Sequence, residues 1–170
     1  MALAGKEGCA AMHIAFFLIP KREVVYVTPR MTLRRAIELM HGHGYNAVPV
    51  VDDDGKYAGT FSEGDALRYL VENAEHPFES VHTLRVGDVP WYKHHAAVRI
   101  DARIEDLISL ATEQNFVPVV DARDIFIGIV RRKEIMEYCA RLLAEGHAFR
   151  QSFAAPRPEP SEDGRGRTHA

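Results

Sequence analysis

The chain has 170 residues, 46% of them hydrophobic and 26% charged, with a formal net charge of -3. These values fit a soluble globular protein with one compact core or two small units sharing one. They exclude the strong positive field that general nucleic-acid binding needs. Cys9 and Cys139 lie far apart, which argues for reduced thiols in the cytoplasm rather than a disulfide framework. The apolar run Ile14 to Ile19 is far short of the roughly 20 residues of a membrane span. As a signal peptide it would be interrupted by Glu7 ahead of it and followed by Pro20-Lys21-Arg22-Glu23 without a clear cleavage site. It is expected to pack on the core, and no membrane association is expected.

In chain order, Met1 to Ala11 are small and polar and read as loose, with Met12 an alternative start. Val24 to Val27 is a β-branched run that reads as a strand. Thr32 can cap a helix whose Leu33, Ala36, Ile37 and Met40 share one face, and His41-Gly42-His43-Gly44 should stop it. Val48 to Val51 reads as a buried strand, Asp53-Asp54-Gly55 as a hairpin turn and Tyr57 to Phe61 as the returning strand. Ser62 should start a second helix, with a capping-box spacing to Asp65 and with Leu67, Leu70, Val71 and Ala74 facing inward. Glu75 to Lys93, with Pro77 and Pro90, reads as a connector. Then come a strand at Val98 to Ile100, a cap at Asp101 and a helix with Ile104, Leu107, Ile108 and Ala111 on one face. A hairpin of Phe116 to Val120 and Ile125 to Val130 precedes a helix from about Arg132 to Leu143 or beyond. From Ala154 the tail is rich in Pro, Gly, Arg, Glu and Asp and is expected to be disordered.

The order repeats because the sequence repeats. Asn46-Ala47-Val48-Pro49-Val50-Val51-Asp52 returns 69 residues later as Asn115-Phe116-Val117-Pro118-Val119-Val120-Asp121. Gly59 answers Gly128, Asp65 answers Glu134 and Tyr69 answers Tyr138. A long fixed period marks a duplicated unit, here strand, helix, strand, strand, helix. Neither copy could cover both faces of its small sheet, so the expected fold is α+β, with two copies packed sheet to sheet about a pseudo-two-fold axis and helices outside. The expected organisation is an extension over 1–18, repeats over 19–76 and 97–146 joined by a connector over 77–96, and a tail over 150–170.

The unit resembles a CBS domain, and the tandem resembles a CBS pair. The resemblance is carried by the repeated Val-Pro-Val-Val-Asp, followed by Gly59-Thr60-Phe61-Ser62-Glu63-Gly64-Asp65 in one copy and Gly128-Ile129-Val130-Arg131-Arg132-Lys133-Glu134 in the other. It covers about Ile19 to Leu143. It implies a stand-alone regulatory module that binds AMP, ATP or a related adenine nucleotide between the repeats, forms a homodimer and modulates a separate protein.

On that resemblance Asp65 is the ribose-binding carboxylate, because one carboxylate can accept from both hydroxyls of a vicinal diol. A purely structural role at the helix N-terminus is the alternative. Ser62 could cap the helix and face a phosphate. Tyr45, Asn46 and Ala47 would meet the adenine edge, and Asn115, Phe116 and Val117 are their analogues in the second copy. Pro49 and Pro118, which lack a donor, should sit at a strand start, an edge or an irregularity. Ile19, Pro20, Lys21 and Val24 should pack the base, with Lys21 able to reach a phosphate. The second copy departs from the family pattern: Arg131 stands for Thr or Ser, and Glu134 for Asp. Arg131, Arg132 and Lys133 place three cations at a helix N-terminus, which a bound polyphosphate or cyclic dinucleotide would favour; a solvated basic turn is the alternative. Trp91-Tyr92 could stack on a base or pack on a helix. The close histidine pairs, His41/His43 and His94/His95, lack any companion metal motif, so no metal is expected. No nucleophile motif appears either, so no catalysis is expected and no cofactor is obligatory. Two other readings stay open: a structural or interaction module with empty pockets, and a nucleotide-processing enzyme.

Overall fold

The computed structural model describes residues 13–73, 77–92 and 95–152. The N-terminus read above as loose, with Met12 and Cys9, and Ala74, His94 and the tail from Ala154 lie outside them. The strands are β1 (Ile19–Pro20), β2 (Ala47–Val51), β3 (Tyr57–Ser62), β4 (Val98–Arg99), β5 (Phe116–Val120) and β6 (Phe126–Arg131). The helices are α1 (Leu33–His43), α2 (Glu63–Asn73), α3 (Pro77–Ser80), α4 (Ile104–Ala111) and α5 (Arg132–Ser152). The fold is α+β, a tandem of two like units. Among the described residues no helix is long and apolar enough to cross a membrane.

The duplication extends to backbone detail. β2 pairs antiparallel with β3, and the register shifts between Val50 and Val51; β5 pairs antiparallel with β6, and the register shifts between Val119 and Val120. In both turns an aspartate ties the loop: Asp52 Oδ1 accepts from Lys56 N at 2.8 Å, and Asp121 Oδ1 from Ile125 N at 2.9 Å. Gly55 takes φ 81° in the first turn, and Asp124, its counterpart, takes φ 63° in the second. Aspartate is among the few non-glycine residues that tolerate this conformation. The turns also meet, Phe126 N donating to Gly55 O at 2.9 Å.

The first core gathers Val27, Leu33, Ala36, Met40, Val48, Val50, Phe61 and Ala66, together with Val86 and Val89 of the connector. The connector is thus part of that core rather than a free linker. Within the run Ile14 to Ile19, Ile14 is fully buried while Phe16 is 77% exposed. Thr32 caps α1 by accepting from Arg35 N, and Gly44 ends it at φ 67°. Cys139 is a free thiol.

Several sequence expectations need correction. Val24 to Val27 is not a strand: only Val27 pairs, as a parallel bridge to Val50, while the strand entering the sheets is Ile19–Pro20. Pro49 and Pro118 lie in the middle of β2 and β5 rather than at their starts, but β2 is an edge strand, one of the expected settings, whereas β5 lies between β6 and β4. Pro49 O accepts from Val27 N. A strand residue's N–H and C=O point to the same edge, so the missing donor of Pro49 faces an edge where the parallel partner consists of Val27 alone. Asp101 does not cap α4; the N-cap is Arg103, whose N–H donates to Asp106 at 3.1 Å. Asp101 instead accepts from Arg99, which lowers its pKa. In α2 the buried positions are Asp65 and Ala66, whereas Leu67 and Val71 are 65% and 73% exposed. Periodicity defines an apolar stripe but not which neighbour covers it.

β1 pairs with β6, Ile19 opposite Ile129 and Pro20 opposite Gly128. The segment leading into the first unit therefore completes the second unit's sheet, in the order β1-β6-β5-β4. A Cβ on Gly128 would collide with the Ile19 carbonyl oxygen, and backbone cannot move aside as a flexible side chain can. Gly128→Ala should therefore destabilise the protein by about 1–3 kcal/mol, seen as a lower urea midpoint. An unchanged midpoint would contradict the close approach of β1.

Candidate nucleotide cleft

Where β1 reaches β6, a cleft of about 540 Å³ opens, within the size range of small-molecule sites. Ile19, Val24, Val25, Val48, Pro49 and Ile129 give it an apolar surface. Its edge below Val27 carries no sheet partner because the proline there has no hydrogen to donate. Tyr45, Asn46 and Ala47 enter from the start of β2, and Asn115 and Phe116 from the start of β5. Tyr45 is half-exposed and stacks on His43 at 5.7 Å between centroids. The Asn46 and Asn115 carbonyls accept from Glu63 N and Arg132 N at 3.1 and 3.0 Å, which fixes both segments to helix starts. Arg131 and Lys133 supply cationic groups at the N-terminal end of α5, and Glu23 an acidic one. Arg131 is paired with Glu134 at 2.5 Å. That pair offsets the unfavourable placement of a cation at the positive end of a helix dipole.

The cleft therefore unites Ile19, Val24, Tyr45, Asn46, Ala47, Pro49, Asn115, Phe116, Arg131 and Lys133 of the expected set. Pro20, Val117, Pro118, Arg132 and Glu134 belong to the same strands and helix start without lining it. The Lys21 ammonium lies over the Tyr26 ring at 5.4 Å, beside the Gly55 turn. Glu23, Val25, Gly44, Val48 and Ile129 also line the cleft and were not singled out from sequence. Their positions flank residues that were, so the repeat register could have indicated Ile129 and Val48.

Ser62 and Asp65 are placed elsewhere. Asp65 is 3% exposed. Its Oδ2 accepts from Ser62 N at 3.0 Å and from Ser62 Oγ at 2.7 Å, and Ser62 Oγ accepts from Asp65 N at 3.2 Å. This is the capping box expected from spacing. Asp65 Oδ1 accepts from Tyr92 N at 3.2 Å. Beside it Thr60 Oγ1 bonds His95 Nδ1 at 2.9 Å and the Tyr57 hydroxyl at 2.7 Å, while Tyr57 donates to His95 O at 3.2 Å.

Burial pushes the Tyr57 phenol up to about 12, only partly offset by the hydrogen bond with Thr60. The folded protein thus keeps the neutral phenol while the unfolded chain ionises near the ordinary value of 10.0. Stability held below pH 10 should be lost as pH rises from there through about 12. Tyr57→Phe should flatten that alkaline loss by about 2 kcal/mol, measured as urea midpoints at pH 9 to 12. Parallel pH profiles for the two proteins would contradict the burial.

The CBS-domain family model matches residues 18–72 and 86–141. Among solved structures, the CbpB protein of Listeria monocytogenes in complex with c-di-AMP is 25% identical, with 77% of this chain and 97% of that one covered and a TM-score of 0.67. CBSX2, a CBS-pair protein from Arabidopsis thaliana, is in its complex with AMP 25% identical over 76% of this chain and 97% of that one, at a TM-score of 0.61. A CBS domain protein from Streptococcus pneumoniae is 28% identical over 76% and 87%, at 0.66. An uncharacterized protein of Chlamydia muridarum is 34% identical over 71 residues, 39% of this chain but 22% of that protein's length.

Proposed function

The chain belongs to the CBS-domain family, with two copies in tandem, and from that premise we propose that it is a regulatory adenine-nucleotide-binding module. The ligand, AMP, ATP or a cyclic dinucleotide, occupies the cleft beside β1. The observation that carries this reading is the cleft itself. It joins an apolar wall wide enough for a flat base to two cations at a helix start, where a phosphate gains from both charge and backbone N–H groups. Two structurally similar proteins, each 25% identical, are complexes with c-di-AMP and with AMP, which supports the ligand class. Arg131 and Lys133 among the lining residues suit the cleft to holding an anion.

Regulation requires that ligand favour one arrangement of the protein over another. A cytoplasmic homodimer offers such an arrangement. Exposed Leu67 and Val71 join Ile37, Leu70 and Val81 in an apolar groove, of a kind that marks an interaction surface. The regulated protein is a separate partner. A second reading, an interaction module whose cleft stays empty, is favoured by the Arg131–Glu134 pair, which already neutralises one cation.

A thermal-shift screen with AMP, ADP, ATP, S-adenosylmethionine, NAD and c-di-AMP separates the two readings. A true ligand at one hundred times its Kd should add about 2.7 kcal/mol of stability; no shift from any of them favours the empty module. Arg131→Ala should weaken a phosphate-bearing ligand roughly 10- to 100-fold and leave adenosine unaffected. Equal affinity for the phosphate-bearing ligand in wild type and variant would remove Arg131 from the site.

A further inference from the structure

The repeat register assigns each residue of the open cleft a counterpart on the opposite side of the tandem. Ile129 and Arg131 line the cleft, and their counterparts 69 residues earlier are Thr60 and Ser62, with Asp65 answering Glu134. A second crevice at Thr60, Ser62 and Asp65 is what duplication dictates. Instead these three residues are buried, at 0%, 8% and 3% exposure.

The connector covers them. The Trp91 ring lies so close to Gly59 that a Cβ there would sit 2.7 Å from it. At the opposite end the same station, beside Gly128, is filled by Ile19 and Leu18. Tyr92 N donates to Asp65 Oδ1, the carboxylate oxygen not engaged by Ser62. His95 takes the Thr60 hydroxyl through Nδ1 and the Tyr57 hydroxyl through its carbonyl. Gln114, 4% exposed, grips Ala96 from both sides: its Oε1 accepts from Ala96 N at 2.7 Å and its Nε2 donates to Ala96 O at 3.1 Å. The counterpart of Gln114 is Tyr45, which lines the open cleft and is itself half-exposed. The His95 ring also meets Phe116 edge-on at 5.0 Å between centroids. Arg68 covers the Tyr92 ring at 4.2 Å.

We propose that the second nucleotide crevice is present but plugged by the chain's own connector. Tyr92 and His95 occupy the hydrogen-bonding positions of a ligand, and Asp65 is the positioning residue that holds the plug. The carboxylate otherwise suited to a ribose diol is satisfied internally. The two crevices of the tandem are thus unequal, one open and one closed. The binding stoichiometry rests on the nucleotide reading above; the plug itself does not.

Equilibrium dialysis of the full chain with AMP tests the inequality, beside the variant Tyr92→Pro/His95→Ala, which removes both polar latches and keeps Trp91. One AMP per chain in wild type and two in the variant, its fold verified by circular dichroism, is the expected result. Two per chain in wild type, or one per chain in a folded variant, would overturn it. If AMP does not bind, the nucleotide reading is left to the ligand screen above and hydrogen exchange at the Tyr92 amide decides the plug. Exchange should be slow in wild type and at least tenfold faster in Asp65→Ala; a fast-exchanging Tyr92 amide in wild type would overturn the plug.

Discussion

Everything about the cleft depends on two residue pairs, Ile19 with Ile129 and Pro20 with Gly128. They carry the start of the first unit into the second unit's sheet. Gly128 makes the approach possible, because any side chain there would strike the incoming backbone. Once β1 is seated, Val24 and Val25 follow it past the start of β2, and the end of β6 brings Arg131 and Lys133 opposite. The cleft is therefore a consequence of one unit's leading strand joining the other unit's sheet rather than a hollow in either one.

Proline contributes the complementary constraint. Pro49 occupies the middle of a strand that otherwise reads as a continuous buried run. Its missing hydrogen limits the parallel pairing to Val27, and the edge beyond is left to the cleft. The same residue recurs as Pro118, beside which β4 pairs Val98 with Val119 and Arg99 with Val120, and the segment leading into β4 is held at Ala96 by Gln114. One local rule thus produces two outcomes, decided by what the chain lays against the opened edge.

Much of this was legible in the sequence. The 69-residue period gave both hairpins, both helix pairs and the capping box of Ser62 and Asp65, because each is specified by local residue types: an aspartate in the turn, a glycine after α1, a hydroxyl before α2. What was not legible is tertiary. Ile19–Pro20 is too short to show any periodicity, whereas the β-branched run Val24 to Val27 carries a strand signal without forming one. The stripe of α2 was assigned to the core, although Ala66 is buried while Leu67 and Val71 face outward. Sequence spacing likewise could not tell that Tyr45, Asn46 and Ala47 share a cleft with Arg131 and Lys133 rather than with Asp65. That partition follows from where β1 crosses. The involvement of Tyr92 with Asp65 is a contact across the connector that no short motif announces.

The central claim is that an adenine base lies against the apolar wall between β1 and the starts of β2 and β5. Photolabelling the full chain with 8-azido-AMP, followed by peptide mapping, tests it most directly. The account predicts label within 19–25, 45–49 or 115–116, suppressed by excess AMP. Label that AMP suppresses but that maps only to the connector or to α2 would contradict it.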